Sequence, residues 1–118
     1  MSAEATLFAV LRALVADRVY PDVAPEGSAL PRIVYQQAGG EVIAYMEGTL
    51  PDKENGRMQI VCWATTRIAA VNLAKQVEAA ILSAPVIQAD ALGARVSVYE
   101  EDTKLFGSRQ DFSIWSTR

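Results

Sequence analysis

Glu100-Glu101-Asp102 is the chain's only acidic cluster, and carboxylates gathered in this way can hold a hard divalent cation when their oxygens converge. A calcium loop spaces its oxygen ligands through about twelve residues around a central glycine, and that spacing is absent here. A solvated hairpin turn is the plainer reading, with a partner-facing patch and a metal site as the other two. Cys62 is the only cysteine. Between Val61 and Trp63 a thiol suits the role of a small buried hydrophobe. A nucleophilic role needs a cation or a helix N-terminus to depress its pKa, and a helix expected a few residues later keeps that alternative open. Gly39-Gly40 lacks the Gly-Lys-Ser/Thr run that cradles phosphate, so it reads as a backbone bulge or turn. The chain contains no histidine, which removes Ser-His-Asp and Cys-His catalysis, His-ligated zinc and the commonest general base at neutral pH. The expectation is a non-enzyme with no cofactor and no metal.

The elements that must position these residues come from a chain of 118 residues and 12.8 kDa, the size of one domain spanning residues 1–118. It is 51% hydrophobic and 21% charged, far from the composition of disordered chains, so a packed core is expected. The net charge of −3 and pI near 4.9 oppose phosphate backbones, and the basic residues are scattered, so specific nucleic-acid binding is not expected. One cysteine excludes an intrachain disulfide. The start of the chain has no basic n-region and no apolar run approaches the roughly 20 residues of a membrane span. A soluble, unexported protein without a membrane partner is the expectation.

Leu7, Val10, Leu11 and Leu14 recur at helical spacing and predict a first helix over about residues 4–16. Pro21, Pro25, Gly27 and Pro31 then punctuate an ordered loop. Ile33 to Gln37 is rich in β-branched and aromatic residues and predicts a strand, which Val42 to Met46 resumes after Gly39-Gly40. Asp52 to Gly56, ending in Asn55-Gly56, reads as a polar turn. Its truncation is expected to spare folding. Met58 to Trp63 alternates as the second strand of a long antiparallel hairpin. Thr65 or Thr66 caps a second helix whose face is Ile68, Val71, Leu73, Ala74, Val77, Ala80 and Ile81, ending before Pro85. Ala94 to Tyr99 and Arg109 to Trp115 predict a second hairpin, joined by Glu100 to Gly107.

The predicted architecture is α+β in the order helix-strand-strand-helix-strand-strand, an antiparallel sheet with both helices packed on one face. Trp63 and Trp115 alternate with the apolar Cys62 and Ile114, so both sheet faces carry large hydrophobic groups. A second apolar face in so short a chain hints at a partner.

Several short segments stand in a fixed order: Arg18-Val19-Tyr20-Pro21, Leu30-Pro31 followed by Val34-Tyr35, a strand ending in Trp63, an alanine-rich helix, Asp102-Thr103 in an acidic turn, and Asp111-Phe112-Ser113-Ile114-Trp115. In that order and spacing the chain resembles the tail-completion (tail-terminator) proteins of long-tailed bacteriophages, over roughly Leu7 to Trp115. The resemblance implies a structural protein of the virion tail, made in the bacterial host cytoplasm. Its subunits would form a ring, usually a homohexamer, at the head-proximal end of the tail tube, stopping tube growth and presenting the head-tail joining surface. The implied partners are further copies of itself, the tail-tube protein and the head-tail connector protein, with DNA passing through the ring.

The family has no catalytic residues to carry over. The residues singled out for subunit or partner contact are Tyr45, Asp52, Lys53, Glu54 and Arg57 around the first turn, and Glu100, Glu101 and Asp102 in the second. Two rival readings remain at this stage. One is another connector, adaptor or tube subunit, and the other is a small ligand-binding α+β domain using the acidic cluster or Cys62.

Overall fold

The structure is a computed structural model that describes residues 2–42, 52–85 and 87–117. Helix α1 (Ala3–Leu11) starts at Ser2, whose hydroxyl accepts from the Ala5 N–H at 3.1 Å. A 3-10 turn (Arg12–Val15) extends it and ends at Ala16 in the left-handed region. Strands β1 (Val19–Pro21), β2 (Arg32–Gln37) and β3 (Lys53–Ala64) follow, then helix α2 (Arg67–Ser83), then β4 (Gln88–Ala91), β5 (Val96–Glu100) and β6 (Leu105–Thr117). The α+β class stands, and the sheet among the described residues has six strands where four were expected.

The β2–β3 and β5–β6 pairs are antiparallel, as the alternating patterns predict, but the second connection is shorter than expected: Glu100 ends β5 and Leu105 to Gly107 open β6, leaving residues 101–104 as the turn. The two added strands are short. Residues Val19–Pro21, expected to be loop, pair in parallel with β2. Gln88–Ala91 lies antiparallel to the far half of β6. Down the middle, β3 and β6 form a ladder from Lys53↔Thr117 to Ala64↔Phe106.

That ladder corrects the first turn. Lys53 to Gly56 are strand residues, and only Asp52 lies outside β3. Gly56 is not among the glycines with positive φ, which an Asn-Gly hairpin turn demands. Asn55 is buried and spends its amide across the strands. Its Nδ2 donates to Ser113 Oγ at 2.8 Å, and its Oδ1 accepts the Glu41 N–H at 2.9 Å. Truncating Asp52 to Gly56 would therefore remove ladder pairs and a buried hydrogen-bond centre, so the expectation that it spares folding is withdrawn. Val42 is not in a strand, and the rest of the predicted Val42 to Met46 strand lies outside the described residues.

A bulge forms at Ala38-Gly39, one residue before the expected Gly39-Gly40. The Ala38 N–H donates to Arg57 O while the Arg57 N–H donates to Gly39 O, so two residues oppose one.

Thr66, one of the two predicted caps, accepts from the Ala69 N–H at 3.1 Å and starts α2. One buried cluster collects Leu7 and Leu11 from α1, Leu73, Ala74, Val77 and Ile81 from α2, and Ile33, Tyr35, Met58, Ile60, Cys62, Phe112 and Ile114 from the sheet. On the central strands the even-numbered residues face this core, as period-2 alternation requires.

Candidate functional site

The other face of the sheet carries Val34 and Gln36 from β2, Arg57, Gln59, Val61 and Trp63 from β3, and Arg109, Asp111, Ser113 and Trp115 from β6. It is more polar than expected. Arg57 donates through Nε and Nη2 to Asp111 Oδ2 at 2.9 and 2.8 Å. Trp63 lies over its cross-strand neighbour Gly107, where an added Cβ would come within 2.9 Å of the ring. An aromatic side chain covering a strand glycine in this way supplies the packing that glycine lacks. Val34, Val61 and Trp63 floor a recess of about 320 Å³ walled by Asp22, Val23, Ala24 and Glu100. Both tryptophans are half-buried, so the apolar part of this face is partly covered by the chain itself. Among the described residues the large hydrophobic groups most open to solvent are Val23 at the wall of that recess, Val96 opposite Arg109 on this same face, Val42 in a loop, Ile68 and Leu82 on α2, and Leu92 and Tyr99 along the β4–β5 side.

The residues selected by charge fall into two groups. Asp52, Lys53 and Glu54 are exposed where β3 begins, opposite Ser116 and Thr117. Glu100 ends β5, and Glu101 and Asp102 are exposed in the turn Glu101–Lys104. Thr103 Oγ1 donates to Glu100 Oε1 at 2.7 Å. Twelve ladder positions separate the groups, about 40 Å at roughly 3.3 Å per residue. They are two poles and not one patch. Arg57 sits between them, engaged with Asp111, and Tyr45 lies outside the described residues. Beside Lys53, a groove of about 620 Å³ runs between α1 (Ala3, Thr6, Ala9), Pro85, Ile87 and the end of β6. Sequence reasoning did not identify this groove, which is made by segments distant along the chain.

The chemistry available is sparse. Among the described residues no group of three or more Cys, Asp or Glu side chains is arranged to hold a metal ion, and no helix is long and apolar enough to cross a membrane. Cys62 is 1% exposed, and burial pushes its thiol up from the ordinary 9.0 to about 12. It is a protonated core residue at neutral pH.

A stability dependence follows from this thiol. A thiol held neutral in the fold supports folding fully below its unfolded pKa, and that support drains away as pH rises from about 9 towards 12. A rise of that size corresponds to about 4 kcal/mol at the alkaline limit. Urea midpoints between pH 8 and 11 should fall with pH, and more shallowly in Cys62→Ala. Burial also raises Tyr35, so part of the slope should persist in that variant. Equal slopes in the two proteins would contradict the assignment.

Two anchors set the β4–β5 side. Arg67, in the first turn of α2, donates from Nη1 to Gly107 O at 2.5 Å and from Nη2 to Val98 O at 2.9 Å. Its guanidinium lies 5.3 Å from the Phe106 ring centroid, and Phe106 in turn packs against Tyr99. Gln110 Nε2, on the core face of β6, donates to Glu78 Oε2 at 2.6 Å and to Gly93 O at 2.9 Å.

Compared with known proteins, residues 5–117 match a family model described as tail completion protein gp17. No curated protein matches the chain.

Proposed function

Because this chain belongs to the tail completion protein gp17 family, and is therefore a structural component of the phage tail, we propose that it acts as the tail terminator. Copies of the chain assemble into a ring, a homohexamer, on the head-proximal end of the tail tube. The ring stops tube growth and offers its far side to the head-tail connector protein. The observation that carries this reading is the family match across residues 5–117.

The two poles of the β3–β6 ladder suit a part that must meet one neighbour at each end. The Asp52–Glu54 pole lies beside the groove of about 620 Å³, and the Glu100–Asp102 pole projects from the β5–β6 turn. A rigid ladder between them holds the two contact surfaces at a fixed separation, as a joint between stacked rings requires. The role needs no catalysis, and the protonated Cys62 in the core fits a non-enzymatic protein.

A tube-capping assay tests the proposal. Purified tail-tube protein is polymerised with and without this protein, and tube lengths are measured by electron microscopy. Tubes should be shorter, with a ring at one end. Lys53→Glu, at an exposed position, should leave the urea midpoint within about 0.5 kcal/mol and reduce capping at least tenfold in the concentration required. Incorporation along the whole tube would instead make the chain a tube subunit. Unchanged tube lengths with no bound protein would overturn the terminator reading.

A further inference from the structure

The sheet has two unlike edges. On β1 the Val19 N–H is already given to Asp17 O at 2.9 Å, Pro21 has no N–H, and Pro21 O accepts the Val23 N–H at 2.6 Å. Arg18 O and the Asp22 N–H face β2, bonded to Ile33 N and Tyr35 O. Alternation turns Tyr20 the same way. Among the described residues, β1 offers no N–H to a further strand.

The opposite edge is open. Among the described residues β5 pairs only with β6, so alternate residues of Val96–Glu100 turn their N–H and C=O groups away from the sheet. Arg67 on Val98 O is the only additional contact to its backbone among the described residues. The strand has no proline to blunt it, and Leu92, Val96 and Tyr99 are each close to half exposed beside it. Arg67 and the Gln110 bond to Gly93 O hold this edge in place. An ordered, unblocked apolar edge is a template for another strand.

We propose that β5 pairs with β5 of a second copy of this chain, antiparallel about a two-fold axis, in a contact separate from the head-to-tail contacts of the ring. The β1 edge has no N–H to give a matching strand, which disfavours continuation of the sheet from β5 to β1. Charge selects the orientation. Centred on Val98, antiparallel pairing sets Val96 opposite Glu100 of the second copy and brings Arg95 beside its Glu101, twice by symmetry. Parallel pairing would stack Glu100, Glu101 and Asp102 on their own counterparts, which is repulsive. Arg95 is held only loosely by Glu78, at 4.0 Å, and is free to turn to the new carboxylate. Val96 and Val98 of both copies then form one apolar strip across the axis.

Sedimentation equilibrium over a range of concentrations tests the pairing on four proteins: wild type, Val96→Glu, Glu101→Arg and the double variant Arg95→Glu/Glu101→Arg. The wild type should show a species of twice 12.8 kDa. Its amide exchange at residues 96–100 should slow as concentration rises. Glu101→Arg should weaken dimerisation at least tenfold, Val96→Glu, which sets a second carboxylate opposite Glu100 of the other copy, should abolish it, and the double charge exchange should restore it to within about threefold. Circular dichroism and urea midpoints confirm that the variants fold. A wild type that is monomeric at every concentration, or dimerisation indifferent to Val96→Glu and Glu101→Arg, overturns the pairing. A larger ring persisting in both single variants also overturns it while leaving the terminator reading intact. A dimer lost in Val96→Glu, with no capping of tubes by any of the proteins, leaves the pairing standing and removes the terminator reading.

Discussion

Phe112→Ala is expected to cost about 3–5 kcal/mol of folding stability, the toll for emptying a large, fully buried aromatic site. Phe112 is 0% exposed and is the largest of the fully buried side chains among the described residues. It lies on the core face of β6, opposite Met58 and Ala91, inside the cluster to which both helices contribute. The loss is a large share of the roughly 5–15 kcal/mol that keeps a domain of this size folded, so a substantial unfolded fraction at 37 °C is expected. Gln59→Ala, on the opposite face, should shift stability by no more than about 0.5 kcal/mol. Urea denaturation of both variants measures the contrast. Similar midpoints for the two would mean that the assignment of even-numbered residues to the core is wrong.

Gly40→Ala should cost about 2–4 kcal/mol through the backbone. Gly40 has φ +153, and a Cβ there would stand 2.4 Å from Asn55 O and 3.0 Å from Asn55 C. These are backbone atoms of the central ladder, so they cannot swing aside as a flexible side chain would. The damage should spread to the Glu41 N–H bond to Asn55 Oδ1 and then to the Asn55–Ser113 bond behind it. Gly39 is the internal comparison. It too has positive φ, +84, but an added Cβ meets nothing within 4 Å, so Gly39→Ala should cost only about 1–2 kcal/mol of conformational strain. Equal losses at the two glycines in urea titrations would show that close approach to Asn55 is not what requires Gly40.

Both predictions rest on features of unequal legibility. The alternation placing Phe112 and Ile114 inward is written in the order of residues, because a strand's side chains change face at every step. Asn55-Gly56 carried the opposite lesson. The dipeptide is a strong local turn signal, yet its amide is satisfied by Glu41 and Ser113, residues 14 and 58 positions away. The two short strands were missed for a related reason. Val19–Pro21 and Gln88–Ala91 are too short to show a period, and each exists because a neighbour, β2 or β6, supplies its hydrogen bonds. The charged candidates were legible as exposed residues, but their separation into two poles was not, since that depends on how β3 and β6 register. The open β5 edge was invisible for the same reason: an unpaired N–H belongs to a strand's place in the sheet, not to its residues.

By itself, then, the order of residues determined the two helices with the Thr66 cap, the β2 strand, the β5–β6 hairpin, the absence of histidine chemistry, and the family. Each of these is set by local periodicity, by composition, or by motifs in a fixed order. Tertiary structure alone decided that Lys53–Gly56 extends the central ladder, that the Cys62 thiol is lifted to about 12, and that one sheet edge is closed while the other stands open. These outcomes turn on which distant groups meet, and on how far a thiol is removed from water, and the free energies involved arise only once the chain has folded back on itself.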